Sequence, residues 1–235
     1  MPVLLITGGA RRLGRIIIEH FMQKGWDIAF TCNSSVQEAQ EIVAQNSKNI
    51  KIKFYQGDFC TELFRTKLIS RVLADFHNID LLINNASIFE RCSVYEVQEA
   101  ELDNNFAIHV KTPLILAQNL VKFKQNSKII NITDVMVTKN ATEFFPYILT
   151  KKSLSSLTKM LAKKLAPKIQ VNEICPAMIL DDLDSANKDI TIEREKKLPA
   201  GRRPEIRELI RAIEYFVDNN CYGQSLFVDS GEHIL

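Results

Sequence analysis

Val3-Leu4-Leu5-Ile6-Thr7-Gly8-Gly9-Ala10-Arg11-Arg12-Leu13-Gly14 decides the fold, because it joins two incompatible periodicities through a glycine turn. Val3 to Ile6 are four bulky aliphatics without polar alternation, as in a strand buried on both faces. Leu13, Ile16, Ile17, Phe21 and Met22 then recur at helical spacing up to Lys24, and Gly25 is placed to cap that helix. Three of the eight glycines, Gly8, Gly9 and Gly14, fall in the turn between them. Free backbone N–H groups and the helix dipole at such a turn suit a pyrophosphate, a plain tight turn being the alternative.

The same alternation continues outward. Strands are expected at Asp27 to Thr31, Ile50 to Tyr55, Leu81 to Ile83, Lys128 to Ile132, Ile169 to Ile174 and Ser225 to Val228. Helices are expected at Val36 to Ala44, Glu62 to Phe76 and over a long region from Glu99 to Phe123. A further helix carries Tyr147 and the stripe Leu154, Leu157, Leu161 and Leu165 before Pro167 stops it. A last helix is expected from Pro204, as a first-turn proline, to Asp218. The polar, aperiodic stretch at about 180–200 reads as a loop or lid. Strands alternating with helices imply right-handed crossovers. The expectation is one α/β domain over residues 1–235, a doubly wound Rossmann architecture whose parallel sheet of about seven strands is covered on both faces.

Composition narrows the function classes. Hydrophobic residues make up 46% and charged residues 25%, the balance of an ordinary globular protein, and a net charge of +2 points to no nucleic-acid partner. Five cysteines without a C-x-x-C spacing and four scattered histidines argue against a disulfide framework or a metal site. The run after Met1-Pro2 is too short for a signal peptide or membrane span, so the cytoplasm is the expected location, with no membrane partner.

In an open parallel sheet, ligands bind beyond the carboxyl ends of the strands. Those positions carry Asp58-Phe59, Asn85-Ala86-Ser87, Asp134 and Pro176. The second strand ends in Thr31-Cys32-Asn33-Ser34-Ser35, without an acid to accept from a ribose 2′-hydroxyl. With Arg11 and Arg12 nearby this favours a 2′-phosphate, hence NADP(H). Tyr147 and Lys151 stand four residues apart on one helix face, where an ammonium would lower the phenol pKa from its usual value of about 10 and make it a usable proton donor.

Taken in order, these motifs resemble the short-chain dehydrogenase/reductase family along essentially the whole chain. Thr7-Gly8-x-x-x-x-x-Gly14 resembles its phosphate turn, Asp58 its adenine contact, Asn84-Asn85-Ala86 its N-N-A-G segment and Tyr147-x-x-x-Lys151 its catalytic pair. Pro176 and Asp229-Ser230-Gly231 resemble its later P-G and D-G-G signatures. The resemblance implies cofactor binding by Gly8, Arg11, Arg12, Leu13, Gly14, Asn33, Ser34, Asp58, Phe59, Asn85, Ala86, Ser87, Tyr147, Lys151 and Pro176. It also implies a homotetramer paired through the helices around 100–123 and 150–166.

Three departures matter. Arg12 stands where most of the family has glycine, Asp134 where it has a catalytic serine, and His109 where it often has a structural asparagine. The first two, with Asn-Ala-Ser-x-Phe at 85 to 89, resemble the pteridine reductase branch, including the bacterial dihydromonapterin reductases. That likeness implies NADPH-dependent reduction of a dihydropterin, dihydromonapterin or dihydrofolate, with hydride entering at C6 and a proton at N5. Asp134, Tyr147 and Lys151 would be catalytic, and Arg12, Ser87, Phe89, Asp134 and Tyr147 would hold the pterin, Phe89 as a stacking platform. Phe89 as a hydrophobic plug, Asp134 as a loop cap and Arg12 as a surface charge are the plainer readings. His109 reads as a packed or hydrogen-bonded helix residue. A carbonyl reductase of keto or 3-oxoacyl substrates and a non-catalytic NADPH-binding sensor are the rival functions.

Overall fold

A computed structural model of the chain describes residues 1–46, 49–123, 125–180, 193 and 195–235. Its centre is β1 (Val3–Ile6), whose four side chains are all buried. Successive strand residues point to opposite faces, so Leu4 and Ile6 enter one core while Val3 and Leu5 enter the other. The first core is closed by α1 (Arg12–Gln23), α2 (Val36–Ala44) and α7 (Ile206–Asp218), through Ile17, Phe21, Ile42, Ile213 and Phe216. The second is closed by α3 (Glu62–Phe76), α5 (Thr112–Lys122) and α6 (Phe145–Leu165), through Leu68, Leu116 and Leu161.

Around β1 lie β2 (Asp27–Cys32), β3 (Ile52–Gln56), β4 (Leu81–Asn84), β5 (Lys128–Ile132), β6 (Gln170–Pro176) and β7 (Ser225–Val228). All pairings are parallel and the order is β3-β2-β1-β4-β5-β6-β7. The chain winds outward from β1 to β3, then restarts at β4 on the other side. The crevice above the β1/β4 carboxyl ends is therefore the topological switch point, where this architecture binds ligands.

Local chemistry accounts for the element boundaries. Gly25, at φ 78°, ends α1: its N–H reaches Met22 O at 3.1 Å and that of Trp26 reaches Phe21 O at 3.1 Å, a Schellman closure. The helix expected from Pro204 begins two residues later, because Glu205 takes the cap position and its N–H donates to Glu208 Oε2 at 2.7 Å. The third strand starts at Ile52 rather than Ile50, since its ladder with β2 begins at the Ile28/Ile52 pair. Strand six runs two residues further than expected, to Pro176, where Val228 pairs with it.

The helical region from Glu99 is not uniform. It comprises α4 (Glu99–Phe106), a π turn at Ala107–Lys111 and α5. Pro113 explains the break, since it has no N–H for the carbonyl of His109 four residues earlier and its ring crowds that oxygen. The lid expected near 180–200 falls largely outside the described residues. No helix among the described residues is long and apolar enough to cross a membrane.

Candidate active site

Thr7 ties the switch point together. Its hydroxyl oxygen accepts the N–H groups of Asn85 and Ala86, both at 2.9 Å, while Asn85 Nδ2 donates to Thr7 O and Gly8 O at 3.0 Å. Gly8 N–H reaches Thr31 Oγ1 at 3.1 Å and Gly9 N–H reaches Thr31 O at 2.9 Å, so the ends of β1, β2 and β4 are laced into one platform. Glycine is required here: a Cβ on Gly14 would stand 2.2 Å from Gly8 O, and one on Gly8, at φ 65°, would stand 2.9 Å from Ala86 Cα.

The turn suits a pyrophosphate on its own chemistry. The start of α1 has neither a capping side chain at Arg11 nor an acidic residue in its first turn, and it carries two arginines. Arg11 lies toward the end of β2, held by Glu38 at 3.6 Å in a half-exposed pair. Such pairs are worth about 0–1 kcal/mol, so a phosphate can displace the carboxylate.

Arg12 adopts φ 50°, the left-handed region. A side chain there costs about 1–2 kcal/mol, which is why glycine is the easier residue, and this chain keeps the strain at its phosphate turn. Arg12→Gly is expected to raise unfolding free energy by up to about 1 kcal/mol, once the extra flexibility of unfolded glycine is set against the relieved strain. Urea denaturation of the two proteins measures it.

A cleft of about 480 Å³ opens beside this platform. Arg12, Leu13, Asn85, Ser87, Phe89, Asp134, Tyr147, Lys151 and Pro176 all line it, so the structure brings together residues from α1, the loops after β4 and β5, α6 and β6. Gly8, Arg11, Gly14 and Ala86 belong to the adjoining turn, and Asn33 and Ser34 lie exposed at the end of β2. Asp58, also exposed, accepts the Cys60 N–H at 2.8 Å. The Phe59 ring packs in the core against Phe64, so only the backbone of Phe59 remains for a ligand.

Asp134 makes both the loop-cap contact and a contact to Tyr147. Its Oδ1 caps the 3-10 turn Val135–Thr138 by accepting the Met136 N–H at 2.7 Å, and its Oδ2 accepts the Tyr147 hydroxyl at 2.6 Å. Burial pushes the Asp134 carboxyl above its ordinary value, although Tyr147, Met136 and Lys151 oppose the rise. Lys151 is 3% exposed, donates to Ile132 O at 2.7 Å, and is pushed down to about 8 by burial.

One expectation is reversed. Tyr147 is pushed well above the usual phenol value, by burial and then by Asp134. The Lys151 ammonium lies 5.5 Å from the ring centroid, spends its hydrogen bond on β5, and does not offset the carboxylate in contact with the phenol. The Phe89 ring stacks on Phe144 with centroids 4.3 Å apart and meets Tyr147 edge-on at 4.7 Å, while staying 53% exposed. Phe144 is the wall residue that sequence reasoning missed; its place directly before Phe145-Pro146, at the mouth of the Tyr147 helix, was the available signal. A short parallel bridge between Cys92 and Phe144 fixes the two rings together.

Residues 2–190 match the model of the short chain dehydrogenase family, and the chain belongs to that family of oxidoreductases. Dihydromonapterin reductase from Escherichia coli O6:K15:H31 is 27% identical over 246 residues, covering 98% of this chain and 96% of its own. Among solved structures, the FolM alternative dihydrofolate reductase 1 of Brucella canis, complexed with NADP, superposes with a TM-score of 0.91 at 35% identity. That match covers 100% of this chain and 95% of the other. Its Brucella suis counterpart, also in complex with NADP, gives 0.90 at 35%, covering 100% and 96%.

Proposed function

We propose that this oxidoreductase uses NADPH to reduce a 7,8-dihydropterin, dihydromonapterin or dihydrofolate, to the tetrahydro form. The observation that carries the reading is the 2.6 Å contact between Tyr147 and Asp134, a carboxyl where a carbonyl reductase of this family would place a serine. A carboxylate can order the N–H groups of an aminopterin edge, and in its acid form it can supply the proton that N5 needs. NADPH, when bound, supplies the hydride; the Gly8–Gly14 turn would hold its pyrophosphate and Arg11 its 2′-phosphate. The likeness to a dihydromonapterin reductase and to alternative dihydrofolate reductases complexed with NADP supports the same substrate and cofactor.

The raised values of Asp134 and Tyr147 become intelligible as one relay. With Asp134 ionised, the phenol proton is committed to Oδ2 and unavailable. With Asp134 protonated, Oδ2–H donates to the Tyr147 oxygen and frees the phenol O–H to face the cleft. Transfer of that proton to N5 is made good from Asp134, so Tyr147 ends neutral, Asp134 ends ionised, and no phenolate accumulates. Lys151 holds its charge beside this pair and would bind the ribose hydroxyls, and Phe89 would offer its exposed surface to the flat pterin, worth about 0.5–1.5 kcal/mol beyond burial. A tetramer through α4, α5 and α6 completes the proposal.

Purified protein with NADPH and dihydromonapterin or dihydrofolate should oxidise NADPH, followed by loss of its absorbance; no turnover of either substrate sinks the reading. Arg11→Ala should lower the NADPH-over-NADH preference in kcat/KM about tenfold or more, as expected for one charge-assisted phosphate contact of about 1.5–3 kcal/mol.

A further inference from the structure

His109 is 1% exposed and plays no part in the relay above, yet it touches both walls of the site. Its Nδ1 lies 2.8 Å from Thr150 Oγ1 on α6, and its Nε2 lies 2.9 Å from Ser87 Oγ and 3.3 Å from Ile88 N on the loop after β4. A backbone N–H can only donate, so Nε2 must present a lone pair and the proton must sit on Nδ1. Thr150 agrees with this tautomer: its own proton goes to the carbonyl of Pro146 or Tyr147, each at 2.9 Å, leaving its oxygen to accept from Nδ1–H. Burial, helped by the Lys151 charge, pushes His109 down to about 2, so the ring stays neutral.

The consequence falls on Ser87, which is exposed and lines the cleft. Its hydroxyl has one proton and two acceptors in reach, Nε2 at 2.9 Å and Ile88 O at 3.4 Å; the shorter contact takes the proton. We propose that His109 is a positioning residue that draws the Ser87 proton inward, so that Ser87 shows the cleft only lone pairs and selects an N–H donor on the bound ligand. Amide and amino N–H groups occur on both the nicotinamide carboxamide and the pterin edge, and the two sources are separable by experiment. The ligand half of the inference rests on the proposed function; the Ser87–His109 half does not.

Two measurements test it. Long-range proton–nitrogen NMR of the four histidines should show one ring that keeps the neutral Nδ1–H form between pH 8 and pH 5, and that vanishes in His109→Gln. An Nε2–H form for that ring overturns the proposal. Ligand binding is then compared in His109→Gln, whose carbonyl oxygen can replace Nε2, and His109→Asn, whose shorter amide replaces only Nδ1. NADPH affinity is read from its fluorescence, and the dihydropterin KM at saturating NADPH. His109→Asn should weaken one of the two about tenfold, the scale of one hydrogen bond, while His109→Gln loses less than about threefold. The arm that moves names the ligand group, and in a Ser87→Ala background neither substitution should cost anything further. Equal losses in both variants, losses that persist without the Ser87 hydroxyl, or no loss in either arm overturn the proposal. A wild-type protein that binds NADPH but turns over no pterin defeats the proposed function while leaving the NMR and NADPH arms readable.

Discussion

Tyr147→Phe is expected to lower kcat for dihydropterin reduction by about 10²–10⁴, the range spanned by a positioned proton donor. The phenylalanine ring keeps the edge contact with Phe89 and the packing near His109, so the loss isolates the hydroxyl. NADPH affinity should change little, and fluorescence titration checks that the variant still binds. Stability should fall by about 1–3 kcal/mol, because removing the hydroxyl leaves Asp134 Oδ2 without its 2.6 Å donor. A Tyr147→Phe enzyme that keeps most of its kcat would exclude the relay.

Asp134→Asn is the second large effect, a loss of about 10² or more in kcat, and it carries a pH signature. The folded carboxyl binds its proton more tightly than an unfolded one does. In the relay only the protonated form releases the phenol O–H, so wild-type kcat should be highest on the acid side and fall toward tenfold per pH unit above the raised value. The asparagine variant lacks that limb and should be flat there. Stability follows from the same shift: the folded state holds a proton the unfolded state has lost, so wild-type stability declines as pH rises from the ordinary carboxyl value through the raised one. Asp134→Asn removes that decline and should be more stable than wild type at neutral and higher pH, less active and harder to unfold at once. Denaturant titrations at pH 5 and pH 8 measure the difference, and a wild-type stability that rises across this interval on account of Asp134 contradicts the assignment.

The order and type of the elements were legible because burial on both faces leaves β1 wholly aliphatic and β4 and β5 mainly so, their buried Asn84 and Asn131 bonding each other at 2.8 Å, and because Gly25 and Pro167 mark where helices end. The cleft was legible in the same way: one architecture sends every strand end to one rim, so Asn85, Asp134 and Pro176 could be grouped before any distance was known. What stayed hidden depends on neighbours far apart in the chain. Whether Tyr147 is acidified by Lys151 or held back by Asp134 turns on which of them it touches, and helix spacing speaks only for the lysine. The strain at Arg12 was hidden because an arginine gives no sign of a positive φ, and Phe144 because a wall made by two aromatic rings needs the Cys92–Phe144 bridge to form it. The start of α7 was misplaced by a proline whose role was overridden by a better cap at the next residue, Glu205.

The π turn before Pro113 is also a matter of counting. Each residue in an α-helix advances the chain by about 100° around the axis, so one residue accommodated in a wider turn sets the angular phase between α4 and α5. Deleting a single residue from 107–111 would let an ordinary helix form, yet it would rotate every earlier side chain by about that angle relative to α5. Either the acidic cap face of α4 or the imidazole seated beside Ser87 would then leave its place. Residue number in this segment is therefore under a constraint that substitution alone does not reveal: the protein should tolerate many replacements at exposed Lys111 and almost no change in length around it.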